Sequence, residues 1–355
     1  MPSSKLMGGS SLILNNIKFI NGKTDSYSQL GAINNQGNLV INNSSFNTIR
    51  TLMGVVYNEG TLLMNNTNVG NAHSSNMAQI ITNVGDCTVD NSKFTATQAY
   101  SSEVGVTVYN YNTLRVLNSN IGYLQSNIVY DEYNYVPGFV FINNSLFTNF
   151  EIENVTARIY NSKVNGMPAF KGADVFMDNT RFVQSSSISV LSIIDSNFTA
   201  THSIFDYSIS CSYTALNITY STILGSIYGG GKSGYLFAPF NWWGSNKGPS
   251  FDYFRTNYVK YWAVATFESE DGNLSVGTNS KFIVSLNKWS DGNNIYDFSE
   301  NEYLPGRLVS FEAQNGNFMH SSGTINNNFT NYLNNNILDC LVYAVIDKEI
   351  GRAHV

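Results

Sequence analysis

An eight-residue phrase, apolar-x-apolar-x-Asn-Ser/Thr-x-apolar, recurs ten times between Leu12 and Ile223, and it constrains the fold more than any other feature of this chain. Its clearest copies are Leu39 to Phe46, Leu62 to Val69, Cys87 to Phe94, Val140 to Phe147 and Val175 to Phe182. Looser copies end at Phe19, Ile121, Val164, Phe198 and Ile223. Nine intervals cover the 204 residues from Phe19 to Ile223, a mean period of about 23 that suits one coil of a solenoid. The first and third positions are apolar, the period-2 signature of a half-buried strand, and helical i+3/i+4 spacing is absent.

In four early coils a second strand-like run comes first: Gly31-x-Ile33-x-Asn35-x-Gly37, Gly54-x-Val56-x-Asn58-x-Gly60, Gln79-x-Ile81-x-Asn83-x-Gly85 and Val106-x-Val108-x-Asn110-x-Asn112. Gly or Asn at the corner tolerates the left-handed backbone of a tight turn. Two or three short strands per coil, wound in one direction, describe a parallel β-helix over residues 1–240. Ten coils at about 4.8 Å per rung predict a rod of roughly 48 Å.

The fifth position of the phrase holds Asn16, Asn43, Asn66, Asn91, Asn118, Asn144, Asn161 and Asn179, with Asp195 and Tyr220 ending the series. In-register stacking makes these amides a ladder, each donating to the next. Their place two residues beyond an inward apolar residue predicts that the ladder is buried and structural. The other reading, a row of sugar-binding amides, requires the column to face solvent.

Catalysis on a β-helix calls for paired carboxylates. Asp90 and Asp178 share a column but stand four coils apart, about 19 Å, too far to flank one glycosidic bond. Glu151 and Glu153 alternate along one strand with only Arg158 nearby as a basic partner. Gly229-Gly-Gly-Lys-Ser233 lacks the first Gly of a phosphate loop, because Ser226 occupies that position, and reads as a closing loop. His73, His202, His320 and His354 have no neighbouring Cys or carboxylate ligands, so neither a metal nor a cofactor is expected. The insert Ser126 to Gly138 interrupts the repeat, and its Tyr130, Tyr133 and Tyr135 form a candidate ligand-binding patch, with mere coverage of the solenoid as the alternative. Sequons stand at Asn42, Asn43, Asn65, Asn143, Asn154, Asn197, Asn217, Asn273 and Asn328, many of them products of the repeat itself.

Composition limits the partners. Only 12% of the 355 residues are charged, whereas 50 Asn, 22 Tyr and 22 Phe supply polarity and apolar area by other means. A net charge of −6 provides no basic stripe for nucleic acid. Cys87, Cys211 and Cys340 are too far apart for a metal motif and read as small core residues. No apolar run is long enough to span a membrane, and Leu12-Ile13-Leu14 is too short for a signal peptide. The repeat is already running at the N-terminus, which reads as an internal start, with any export signal upstream.

After Phe240 the repeat is expected to stop at a closure and linker over residues 241–257, opening with Asn241-Trp242-Trp243-Gly244-Ser-Asn-Lys-Gly-Pro249. Strand-like runs follow at Tyr258 to Phe267, Lys281 to Trp289, Arg307 to Ala313, Gly323 to Leu333 and Leu338 to Ile346, with turn signals at Asp291-Gly292 and Pro305-Gly306. Strands without intervening helices predict an Ig-like β-sandwich over residues 258–349. The repeat, the Asn-Trp-Trp-Gly closure and the run from Leu304-Pro-Gly-Arg-Leu-Val-Ser-Phe311 through Asn315-Gly316 to Tyr343-Ala-Val-Ile-Asp347 together resemble the adhesin-like surface proteins of methanogenic archaea. That resemblance implies a right-handed parallel β-helix followed by a bacterial-type Ig-like domain. It further implies a non-catalytic, secreted or cell-surface adhesin-like fragment that contacts glycans or proteins of another cell. A carbohydrate-active β-helix enzyme and a purely structural stalk are the alternatives.

The last seven residues, Glu349 to Val355, show no strand alternation, and residues 350–355 match one frame of a common sequencing adaptor. The expectation is therefore an artefactual end and a sandwich with an unpaired edge beside Leu338 to Ile346.

Overall fold

The computed structural model describes residues 4–22, 31–51, 54–74, 80–95, 106–127, 138–183, 190–229, 235–249, 259–270, 277–335, 340–347 and 349–354. Among these residues all regular elements are strands, and none is a helix. The chain forms two compact units, one of residues 1–198 with 210–215 and 230–233, the other of residues 199–209, 216–229 and 234–355.

The early coils of the first unit have three strands each. A short first strand (Ile33–Asn35, Val56–Asn58, Ile81–Asn83, Val108–Asn110) leads to a second (Asn38–Asn42, Thr61–Asn65, Asp86–Asp90, Thr113–Leu117) and then a third (Ser45–Thr51, Asn68–Ser74, Lys93–Phe94, Asn120–Ser126). Each strand pairs in parallel and in register with its counterparts, so that Ile33, Val56, Ile81 and Val108 form one column. Leu39, Leu62, Cys87 and Leu114 form another. The apolar positions of the phrase fill the interior, and rings stack along it, as where Phe150 meets Phe170 edge-on at 5.2 Å. This is a parallel β-helix, and every rung repeats the same inward side-chain pattern.

The 23-residue period averages two kinds of coil. Equivalent fifth positions from Asn16 to Asn144 are 23 to 27 residues apart, but Asn144, Asn161 and Asn179 are only 17 or 18 apart. Register explains the change. Leu146–Glu153 pairs through its first half with Lys163–Asn165 and through its second half with Ala169–Lys171, so the third strand runs straight into the next first strand and needs no connecting segment. Where the corner before the second strand is tightest, Gly37, Gly60 and Gly85 stack. A Cβ on Gly60 would lie 2.2 Å from the Gly37 carbonyl oxygen, and one on Gly85 2.1 Å from that of Gly60, so no larger residue fits.

In the second unit Ile204–Phe205 and Thr222–Ile223 pair as solenoid rungs. The repeat does not stop at Phe240. Thr222 bridges Trp242 and Asn241 bridges Trp262, both in parallel, so the closure segment forms a further rung. Beyond it lie two antiparallel sheets. One orders Trp262–Ser269, Asn279–Ser290, Asn328–Asn335 and Gly316–Phe318, with Ile295–Asp297 beside Asn279–Ser290. The other orders Ser322–Ile325, Arg307–Gln314, Leu341–Ile346 and Glu349–His354. Both contribute to one core containing Val284, Leu286, Val309, Phe311, Ile325, Ala344 and Ile346, together with Trp242.

Two expectations for this region are corrected. The predicted strand Gly323 to Leu333 is two strands in different sheets, because Asn327 takes φ 89° and turns the chain between them. The edge beside Leu341–Ile346 is paired, since Glu349–His354 runs antiparallel along it from Ile346↔Glu349 to Leu341↔His354. An edge partner needs only backbone donors and acceptors, which is why missing alternation was a poor guide.

Candidate functional site

The eight Asn of the fifth position lie at the corner between the second and third strands, each left-handed, with φ between 44° and 56°. The second strand ends one residue earlier, as Asn38–Asn42 does before Asn43. A left-handed residue breaks the strand alternation, so the fifth side chain swings outward and the sixth turns in. The expected burial of this ladder is therefore wrong: Asn16, Asn43, Asn66, Asn91, Asn118, Asn144, Asn161 and Asn179 are all exposed. Asn recurs there because its short polar side chain tolerates αL.

The ladder itself exists. Asn66 Nδ2 donates to Asn43 Oδ1 at 2.7 Å, Asn144 Nδ2 to Asn118 Oδ1 at 2.9 Å and Asn179 Nδ2 to Asn161 Oδ1 at 2.9 Å. Asn118 instead donates to Asp90 Oδ1, and Asn161 to Asn143 Oδ1. Each ladder bond uses one N–H and one lone pair, and an amide offers two of each. A row of fixed donors and acceptors is left facing solvent. It forms the floor of a groove of about 630 Å³, running past Asn91, Asn118, Asn144, Asn161 and Asn179. At about 4.8 Å per rung these five amides span roughly 19 Å. Lys93 and Lys163 line the groove from the third-strand side, and both are exposed.

Beneath the amides the sixth-position hydroxyls make the floor rigid. Ser92 Oγ accepts from Thr67 N and donates to Asp90 O; Ser119 Oγ accepts from Ser92 N and donates to Leu117 O. Ser145 and Ser162 continue the pattern. The sequon hydroxyls of Ser44, Thr67 and Ser145 belong to this buried column, which is why the repeat generates sequons.

A second amide ladder, unanticipated as such, is the buried one. Asn35, Asn58, Asn83 and Asn110 are fully buried in the first strands. Asn35 donates to Asn58 Oδ1 at 2.6 Å, Asn58 to Asn83 Oδ1 at 2.6 Å, Asn83 to Asn110 Oδ1 at 2.7 Å, and Asn110 to Ser126 Oγ at 3.0 Å. The sequence signal is the Asn that recurs two residues after the apolar position in Gly-x-Ile-x-Asn-x-Gly.

Asp195 does not belong to the exposed column. Asn154, Gly172, Asp195 and Tyr213 form a different left-handed corner, linked by Asn154 N to Lys171 O, Gly172 N to Ile194 O and Asp195 N to Ser212 O. In the second unit the fifth-position conformation passes to His202, Tyr220 and Phe240, at φ 46°, 49° and 61°. Rings replace amides there: Tyr220 stacks on Phe240 at 5.5 Å, and Phe240 on Tyr261 at 5.6 Å. Asn241 takes over the buried hydroxyl's work, accepting from Ser221 N and donating to Ile218 O and Ala238 O.

Asp90 and Asp178 are four rungs apart through Leu117, Asn143 and Tyr160. Glu151 accepts from Tyr123 and Gln125, Glu153 pairs with Lys171 at 2.7 Å, and Arg158 pairs with Asp174 rather than with either glutamate. Among the described residues no group of three or more His, Cys, Asp or Glu is placed to hold a metal ion. The cysteines are buried and form no disulfide. Burial pushes the Cys87 thiol well above its ordinary range and that of Cys211 to about 11. Tyr130, Tyr133 and Tyr135 lie outside the described residues, as do residues 230–233 of the glycine-rich loop. No helix among the described residues is long and apolar enough to cross a membrane.

Fold and groove together define a β-helix protein with an exposed, hydrogen-bonded amide ladder. No protein-family model matches the chain, and neither a curated protein nor a solved structure matches it.

Proposed function

We propose that this chain is a non-catalytic adhesin-like surface protein whose solenoid binds glycans along the amide groove. The carrying observation is the column of exposed Asn amides along the groove, paired at Asn118–Asn144 and Asn161–Asn179 and with hydrogen-bonding capacity to spare. Sugar hydroxyls both donate and accept, and pre-fixed amides meet them without further ordering cost. The resemblance to adhesin-like surface proteins of methanogenic archaea supports the same reading. It would make the solenoid right-handed, the two-sheet region an Ig-like module, and the location the cell surface. Carboxylates four rungs apart, or held by Tyr123 and Lys171, are poor candidates for an acid–base pair. Glycan-array binding by the intact chain tests this reading. Polysaccharide turnover abolished by one carboxylate substitution would replace it with the enzymatic one.

A further inference from the structure

We propose that the amide groove selects linear anionic glycans, with Lys93 and Lys163 as the two positions that read negative charge; this rests on the glycan-binding reading above. The lysines occupy the same column of the third strand, linked through Lys93↔Asn120, Asn120↔Leu146 and Leu146↔Lys163. Three rungs separate them, about 14 Å. Neither forms an ion pair with a described residue, whereas Lys171, Lys281 and Lys288 each meet a glutamate. Two carboxylates flank the floor, Asp90 beside Asn91 and Asp178 beside Asn179, and an oxygen of Asp90 is occupied by the amide of Asn118. Two lysines and no carboxylate line the groove, in a chain whose net charge is −6.

The geometry narrows the ligand class. Amides repeated at one rung per coil favour a polymer with an axial repeat lying along the solenoid. Two cations over about 14 Å are too few for a nucleic acid, which carries a phosphate every 3.4 Å or so along each strand. A peptide added as a strand requires free backbone donors and acceptors, and the backbone along these rungs is committed to the parallel ladders. A chain of pyranoses bearing intermittent carboxylates or sulfates matches both features, its hydroxyls meeting the amides and its anions the lysines.

The test titrates the full chain, by calorimetry, with an oligogalacturonate, a sulfated galactan oligosaccharide and neutral galactan and xylan oligosaccharides of matched length. The expected result is at least tenfold tighter binding of one or both anionic probes than of the neutral ones. That preference should weaken as salt rises from about 0.01 M to 0.15 M and the Debye length contracts from about 30 Å to 8 Å. Lys93→Gln with Lys163→Gln should remove at least tenfold of the anionic affinity and leave the melting temperature unchanged, since both side chains are exposed. The control Lys5→Gln with Lys247→Gln, which removes equal charge elsewhere, should change it less than twofold. Which anionic probe binds distinguishes carboxylate from sulfate recognition. Equal affinity for neutral glycans, retention of anionic binding in the groove double variant, or an equal loss in the control would overturn the selectivity and leave glycan binding standing. Failure of every probe to bind would overturn both.

Discussion

At the scale of single residues, the same amide does two jobs that the sequence writes with one letter. Asn58 lies in a fully buried column, where its loss deprives Asn83 Oδ1 of a donor and an N–H of Asn35 of an acceptor. Each unsatisfied buried group costs about 1–3 kcal/mol. Asn118 is exposed, so replacing it forfeits a solvent-facing bond and an αL preference worth about 1–2 kcal/mol. Asn58→Leu should therefore lower the urea midpoint of the solenoid far more than Asn118→Leu, and Asn118→Gly should be milder still. Equal shifts for Asn58→Leu and Asn118→Leu would contradict this assignment of the two columns.

Glu302 and Tyr220 give the second unit a pH signature. Hydrogen bonding from the Ser299 side chain, then from Tyr220, holds Glu302 below the usual carboxylate range. Its stabilising contribution is present above the ordinary Glu value, about 4.3, and is lost as pH falls through the lowered one. Tyr220 is pushed up to about 12, first by burial and then by Glu302. Its contribution holds below the ordinary value near 10 and is lost as pH rises towards the folded one. Melting temperature against pH should fall at both ends, and Glu302→Gln should flatten the acid limb, because an amide there no longer titrates.

At the scale of elements, the strands were legible because period-2 apolar spacing is what a half-buried strand requires. Leu39 and Ile41 point in for the same reason that Val175 and Met177 do. The column at the turn was not legible, since period-2 alternation holds only to the strand end, beyond which a left-handed backbone reverses the facing. The rung at Phe240-Asn241 was hidden for a different reason: an aromatic replaces the corner Asn and an Asn replaces the buried hydroxyl, preserving geometry while erasing the phrase. The final strand was invisible because edge pairing needs backbone alone. Close stacking of corners is the least forgiving element. Gly60→Ala places a methyl 2.2 Å from the Gly37 carbonyl oxygen, and loss of cooperative melting in the first unit is the expected outcome.

At the scale of the second compact unit, the two-sheet region is built on the last rungs of the solenoid. Trp242 is fully buried in the shared core, and its indole N–H donates to Asp347 Oδ2 at 2.8 Å. Arg307 meets the same carboxylate through Nε and a terminal nitrogen, and its other terminal nitrogen lies 3.9 Å from Asp206. Arg307 and Asp347 are about nine-tenths buried, so removing one partner strands a charge at a cost of about 3–5 kcal/mol. Asp347→Ala should thus destabilise this unit by that order in chemical denaturation, and Trp242→Ala by a similar amount through the cavity it leaves. A fragment beginning at residue 259 lacks both Trp242 and Asp206, leaving an open core and a less satisfied Arg307. A fragment beginning at residue 199 retains them. The shorter one should show no cooperative transition and bind hydrophobic dye, while the longer one melts in a single step. A sharp, reversible transition from the fragment starting at 259 would show that the sheets stand without the rungs beneath them.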